Sequence, residues 1–362
     1  MKNVKVSTLG FGFMGKLHTI SYKSMPYCYY NFQYNIELDK LLTTRDINTI
    51  STGYNSHVNS ILDLKDADMI DICTPNFMHK DQINEAILSG IKNIYCEKPI
   101  TGIYDEEKEI VKMAKDKSIN NQVGLVLRFL PIVIRTKKII EEGVIGDIIN
   151  FNAHIYHESY LNPDRPISWR LEKSKSGGGA LIDLGIHIID LIQYILGPIT
   201  ETEGYTKTFI NKRPSENGIK NVDVDDFAHL DVLVNEKTQG CIEVSRVFAS
   251  GGEDTSIIIY GTKGSINLNT KNPESCFLYI LNQNAWLSSE NYKFKDSEDD
   301  IKFLWPLGKF SLGTMVNSHM ASLFCFMSRI NGKTFNFIEP PTFESSASAL
   351  KVIDDCYNSI TK

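Results

Sequence analysis

The chain lacks most features that would assign it quickly. No CxxC pair occurs among its seven cysteines (28, 73, 96, 241, 276, 325 and 356), which are odd in number and scattered. Neither a disulfide framework nor a zinc knuckle is therefore expected. It also lacks a basic excess: 38 Lys and Arg face 44 Asp and Glu, for a net charge of -6. That balance argues against nucleic acid or an anionic membrane as the main partner. No apolar run approaches the ~20 residues needed to span a bilayer. No signal-peptide pattern precedes the first strand signal, so a cytoplasmic location is expected. Internal repeats and low-complexity tracts are missing as well. What remains is an ordinary globular composition, 42 % apolar and 23 % charged, over 362 residues. That length exceeds one core and predicts two domains.

The first third alternates strand and helix signals. Val4–Leu9 reads as a buried strand, followed by a glycine turn and a helix from about Lys16. Further strands are expected at Leu38–Thr44, Met69–Thr74, Ile94–Cys96 and Val123–Val126. Helices are expected at Phe77–Ser89, stopped by Gly90, and at Tyr104–Lys117. This rhythm predicts a parallel, doubly wound sheet over residues 1–126. Beyond it come a helix at Ile132–Glu142, a strand at Ile148–His157 and a helix at Ala180–Leu196. Five β runs follow, Ala228–Val234, Gly240–Phe248, Ser256–Tyr260, Ser265–Leu268 and Cys276–Leu281. Residues 127–362 thus predict an α+β domain with a large, mostly antiparallel sheet and helices on one face. Residues 211–226 and 284–314 read as long loops, and a last helix at Phe343–Ile360 is compatible with either domain.

Gly10-Phe11-Gly12-Phe13-Met14-Gly15 follows a strand and opens a helix. In that context the first Gly permits the tight turn, and the second lets a pyrophosphate approach the backbone. The third allows close helix–strand packing, and the helix N-terminus supplies amides and a positive dipole end. A dinucleotide is the expected ligand. No clear carboxylate ends the second strand to hold the ribose. Thr44-Arg45 there would suit a 2′-phosphate, whereas a slipped register would offer Asp46 to NAD. The reading leans to NADP over NAD, against the plain alternative that Arg45 is a solvated loop residue.

Three further segments carry chemistry. Thr74-Pro75-Asn76 with His79, and Glu97-Lys98-Pro99, lie at strand ends, where α/β sheets bind ligands. Asp183 and His187 are four apart and share one face of an otherwise apolar helix, a costly placement unless they are bonded or used. Singly, each has a bland reading. His187 could be a satisfied core histidine, Lys98 a partner of Glu97, Asp183 a residue favoured by its helix end, and His79 merely exposed. His154 and His157 have metal spacing only on a helix; on a strand they face opposite ways, so no metal site is expected.

Together these residues resemble the Gfo/Idh/MocA oxidoreductase family over nearly the whole chain. The likeness rests on the glycine turn, Thr74-Pro75-Asn76 with His79, Glu97-Lys98-Pro99, Glu142-Gly143 with Ile145-Gly146-Asp147, Ser168-Trp169-Arg170, and Asp183 with His187. Gly12-Phe13-Met14-Gly15-Lys16, Leu171-Glu172-Lys173-Ser174, Val222-Asp223-Val224-Asp225-Asp226 and Leu304-Trp305-Pro306 most resemble its levoglucosan and inositol dehydrogenase-like branch. The resemblance implies a Rossmann domain followed by a domain whose open sheet forms a homodimer or homotetramer. It implies dehydrogenation of a secondary hydroxyl on a sugar, anhydrosugar or cyclic polyol. Lys98 would hydrogen-bond the reacting hydroxyl and the cofactor region, His187 would take its proton, and Asp183 would orient substrate and partners. Gly10, Gly12, Phe13, Met14, Gly15, Thr44, Arg45, Thr74, Pro75, Asn76, His79, Glu97, Lys98, Trp169 and Arg170 fall on the cofactor side. Arg128 and Tyr156 fall on the substrate side, although Leu127 and Phe129 around Arg128 are more apolar than the branch pattern. The family also holds non-catalytic cofactor-binding regulators and NAD-dependent glycosidases, which stand as alternatives.

Overall fold

The computed structural model of the chain describes residues 1–360 other than Asn31, Asp46, Asn48, Asp296, Ser297 and Leu307. In chain order the strands are β1 (Lys2–Leu9), β2 (Tyr34–Leu42), β3 (Ser56–Val58), β4 (Met69–Ile72), β5 (Asn93–Cys96), β6 (Asn120–Val123), β7 (Ile148–Tyr156) and β8 (Ile199–Lys207). They continue with β9 (Lys212–Ser215), β10 (Gly218–Asn221), β11 (Phe227–Val234), β12 (Thr238–Ser245), β13 (Asp254–Gly261), β14 (Gly264–Asn269), β15 (Phe277–Ile280) and β16 (Ala285–Ser288). The helices are α1 (Phe13–Cys28), α2 (Thr49–Thr52), α3 (His79–Leu88), α4 (Tyr104–Asp116), α5 (Pro131–Glu141) and α6 (Lys173–Ser176). After them come α7 (Ile186–Leu196), α8 (Asp299–Leu304), α9 (Thr314–Ile330) and α10 (Phe343–Ile360).

Two units emerge. The first comprises Met1–Thr101, Asp105–Phe129 and Asp299–Ala347. Its six strands are ordered β3-β2-β1-β4-β5-β6, and every described pairing is parallel. The order reverses between β1 and β4, the switch point at which such sheets bind ligands. All four residues of β4 are buried, as a central parallel strand covered on both faces requires. Helix α4 opens on Asp105, Glu106 and Glu107 at its positive end, and the Glu107 carboxylate accepts the Thr101 amide at 2.9 Å.

The second unit holds Gly102–Tyr104, Leu130–Glu298 and the chain from Ser348. Its eight strands run β16-β15-β14-β13-β7-β12-β11-β8, antiparallel except for the parallel pair β7 and β12. Phe151, Ala153 and Ile155 of β7 are buried, while Asn152, His154 and Tyr156 between them are not. That alternation gives the sheet one covered face and one open face. Helices α5 and α7 pack together over it. The expected fold class therefore stands.

Several details differ from the sequence reading. β2 begins at Tyr34 and ends at Leu42, so Thr44 and Arg45 lie beyond it in an exposed bend; Asp46 lies outside the described residues. β6 uses the polar Asn120–Val123 rather than Val123–Val126, because Gln122 donates to the carbonyl (2.8 Å) and hydroxyl (3.0 Å) of Ser322 on α9. The supposed loops contain β9, β10, β16 and α8. Residues 299–342, assigned by sequence to the second domain, belong to the first unit with the start of the last helix, left open by sequence, and there α9 packs on α1. Finally, the helical stretch Lys173–Leu196 is long and apolar enough to cross a bilayer, contrary to the sequence reading. In this fold 72 % of its most apolar window is buried, and Gly177 (φ 82°) breaks its first turn from the rest.

Candidate active site

The glycine turn meets each requirement placed on it. Gly10 has φ 91°, and a Cβ there would sit 2.9 Å from Thr74. At Gly12, the N-cap of α1, an added Cβ meets nothing within 4 Å, which leaves open space in front of the helix amides. At Gly15 a Cβ would overlap the Gly10 carbonyl. This cradle fits a pyrophosphate, with Gly10, Gly12 and the first turn of α1 as the residues that would hold it. Phe13 is exposed and Met14 half-buried beside it.

Thr74 donates from its hydroxyl to Gln82 (2.6 Å), and Pro75 caps a single 3-10 turn at Asn76–Met78. The Asn76 amide donates to the Thr101 carbonyl at 2.6 Å. His79 is not exposed, as its first-turn position left open, but 1 % accessible. Its Nε2 faces the Thr74 carbonyl at 2.8 Å, and its Nδ1 the carbonyls of Pro99 (3.1 Å) and Ile100 (3.0 Å). Burial lowers its pKa against the pull of those carbonyls. His79 thus ties the loop after β4 to the loop after β5, which carries half-buried Lys98 and the cis Lys98–Pro99 bond.

The Glu97 carboxylate turns into the core of this unit, 3.1 Å from His18 Nε2 and 3.7 Å from His319 Nδ1. His18 Nε2 also lies 3.1 Å from His319 Nδ1, and His18 Nδ1 lies 2.9 Å from Asp71. Sequence reasoning missed His18, Asp71 and His319. The available signal was Asp71, an acid inside the buried strand Met69–Ile72, which needs a cationic or donor partner. Burial disfavours a charge on His18, yet the Asp71 carboxylate, with Cys73 beside it, holds its pKa well above the ordinary histidine value. Burial, the largest single influence, would raise the Glu97 pKa, but the close His18 contact and the charges of His319, His18 and Lys98 together overcome it and hold it at about 2. His319 is pulled down to about 4, chiefly by burial. Two sets of atoms here, from His18, Glu97 and His319 and from His18, Asp71 and Cys73, have spacings a metal ion could use. Shared protons account for the same distances.

Arg128, in the first unit, is buried and donates to the Glu339 carbonyl at 3.1 Å. The remaining candidates lie in the second unit. Asp183 sits in a single π turn, Leu181–Gly185, which runs into α7 at Ile186. Asp183 and His187 are partly exposed, whereas Ile182, Ile186, Ile188 and Ile189 around them are buried. The turn is anchored by Asp225, whose carboxylate accepts from Gly179 N (3.0 Å), Leu181 N (2.8 Å) and the Tyr357 hydroxyl (2.6 Å). The Arg170 guanidinium stacks 4.3 Å from the Trp169 ring. Tyr156 stands on the open face of the sheet, stacked on His154 and donating to Glu243. The structure therefore does not bring Tyr156 together with Asp183 and His187, which belong to the helices over the covered face. His154 and His157 form no ligand set among the described residues.

A phosphate-cradling turn at the switch point of a 3-2-1-4-5-6 parallel sheet, followed by a large mixed sheet, defines a two-part dinucleotide-dependent oxidoreductase. The chain belongs to the Gfo/Idh/MocA oxidoreductase family: residues 4–125 match its NAD-binding Rossmann fold and residues 133–267 its C-terminal domain. It is 32 % identical over 291 residues to levoglucosan dehydrogenase of Pseudarthrobacter phenanthrenivorans, an alignment spanning 74 % of each chain. It is 26 % identical over 312 residues to the uncharacterized oxidoreductase YrbE of Bacillus subtilis, spanning 85 % of this chain and 87 % of the other. A solved levoglucosan dehydrogenase in complex with NADH and levoglucosan matches with a TM-score of 0.88 at 26 % identity, over 99 % of this chain and 98 % of that one.

Proposed function

We propose that the protein is a dehydrogenase for a secondary hydroxyl of a cyclic sugar, anhydrosugar or polyol. The observation that carries this reading is Lys98, held at the end of β5 beside the switch point by His79 and the Glu97 network. The relatives that act on levoglucosan support the substrate class. When bound, the nicotinamide supplies the hydride acceptor or donor. In this reading Lys98 donates a hydrogen bond to the reacting oxygen and lowers the cost of charge there. His187 takes the hydroxyl proton as the carbon loses its hydride, and Asp183 orients the reacting groups. Gly10, Gly12 and the start of α1 hold the pyrophosphate. The exposed Thr44–Arg45 bend favours NADP(H), since a guanidinium suits a 2′-phosphate.

The test is a panel of inositols, monosaccharides and anhydrosugars with each oxidised cofactor, following absorbance of the reduced nicotinamide. Lys98→Ala should lose about 100-fold or more in turnover while keeping its fold. Silence across the panel with intact cofactor binding would overturn the reading in favour of a regulator. Cleavage of a chromogenic glycoside without net reduction would favour the glycosidase. Calorimetry should show tighter NADP(H) than NAD(H), with the difference lost in Arg45→Ala. The reverse preference overturns the cofactor assignment alone.

A further inference from the structure

A buried chain of charge runs beneath the proposed catalytic lysine, and the function above assigns no role to its members beyond Glu97. Around the ring of His18 on α1 stand Asp71 from β4, Cys73 just beyond it, Tyr95 and Glu97 from β5 and its end, and His319 from α9, with Tyr22 of the same helix bonded to Asp71. Asp71 lies within reach of His18 Nδ1 at 2.9 and 3.1 Å and also accepts from the Tyr22 hydroxyl at 3.1 Å. The opposite nitrogen is shared between Glu97 and His319 Nδ1, both at 3.1 Å. His18 and Asp71 are 0 % exposed and Glu97 5 %, so each charge here needs its partner. Glu97 is also walled in, because a Cβ at Gly124 would overlap its carboxylate.

We propose that His18 is a positioning residue for Lys98: its imidazolium, tied to Asp71, holds the Glu97 carboxylate in the core, away from the neighbouring Lys98 side chain. Glu97 and Lys98 follow β5 directly, and Glu97 is buried whereas Lys98 is only half-buried. Glu97 anchored inward by His18 therefore directs Lys98 outward, toward the crevice at the strand ends. Without the imidazolium, the buried Glu97 carboxylate loses its nearest counter-charge. Lys98, adjacent in sequence, is then drawn back to supply one. The inference rests on the reading of Lys98 as catalytic, so its test includes a measurement that needs no turnover.

His18→Gln should lower kcat about 30-fold with little change in KM, and cofactor affinity should stay within about threefold. The discriminating variant is His18→Gln with Glu97→Gln, which removes the stranded carboxylate together with its partner. It should regain at least about tenfold of the lost kcat, a recovery that mere damage to packing does not produce. Competitive reductive methylation of Lys98, read by peptide mass spectrometry on the intact cofactor complex, should fall in the single variant and recover in the double. That labelling decides the inference even if no substrate turns over. Unchanged labelling in His18→Gln, or a double variant no better than the single, overturns it. If His18→Gln does not fold, Gly124→Ala displaces Glu97 by contact alone and must show the same loss of labelling. A stoichiometric divalent cation in the purified protein overturns it too, since an ion would then hold these atoms in place of protons.

Discussion

At the scale of single residues, the three glycines of the turn perform separable tasks. A Cβ at Gly12 meets no protein atom, so Gly12→Ala should fold with a loss of about 1 kcal/mol or less as a poorer helix cap. Its cofactor affinity should nonetheless fall tenfold or more, because the added methyl stands where the pyrophosphate approaches the backbone. Gly15→Ala forces a Cβ onto the Gly10 carbonyl and should cost about 2 kcal/mol of stability before any ligand is present. Denaturant melts paired with calorimetry separate the two outcomes. The histidine pair also leaves a signature in acid. His319 takes a proton in the fold only near pH 4, whereas an unfolded histidine does so near 6.5. Through that window the unfolded chain binds the extra proton, so stability falls as pH falls, by up to about 1.4 kcal/mol per pH unit. Glu97, held at about 2, contributes stability that is present above the unfolded value and lost as pH drops toward 2. His18 works in the opposite sense: its contribution is full below about 6.5 and disappears as pH rises through its raised value. His319→Gln should flatten the limb between pH 4 and 6.5, read by melts across that range.

Among the elements, the entry to α7 depends on one carboxylate. Asp225 accepts two amides of the Gly179–Leu181 turn and the Tyr357 hydroxyl, and Gly179 packs against its backbone. Asp225→Ala strands those donors in a buried place and should cost about 2–4 kcal/mol. The π turn that carries Asp183 then loosens, so turnover should drop while cofactor affinity holds. What could be read in advance follows from how each element shows its burial. The glycine turn, β4 and α7 announce themselves through glycine spacing and apolar runs. β6 was expected three residues late, at Val123–Val126, since Asn121 and Gln122 are buried polar residues satisfied by Phe343 N (2.8 Å) and Ser322, partners some two hundred residues away. Helix α9 was overlooked for the opposite reason: nearly every residue from Asn317 to Ser328 is buried, which leaves no polar face to mark a period. The catalytic candidates were legible as motifs, but the His18 network was not, because its members come from four separate stretches of chain.

On the scale of the whole molecule, the chain writes its first unit in instalments, with the second unit's sequence between Phe129 and Asp299. Residues 1–129 contain all six strands of the parallel sheet, yet they lack α9, which packs on α1 and supplies His319. A fragment ending at Phe129 should therefore expose the apolar side of α1 and aggregate or bind cofactor at least tenfold more weakly than the full chain. Light scattering and calorimetry on the fragment check this, and a monomeric fragment with full affinity would refute it.

That interrupted layout also bears on birth of the molecule at the ribosome. Domains commonly settle in the order in which they emerge. Here the parallel sheet must wait for Thr314–Ile330 before His18 meets its last partner, a separation of 301 residues. Translation that halts early yields a sheet whose helix α1 still lacks the cover of α9. Such a product would be marked for removal by its own instability, well before it could hold a nucleotide.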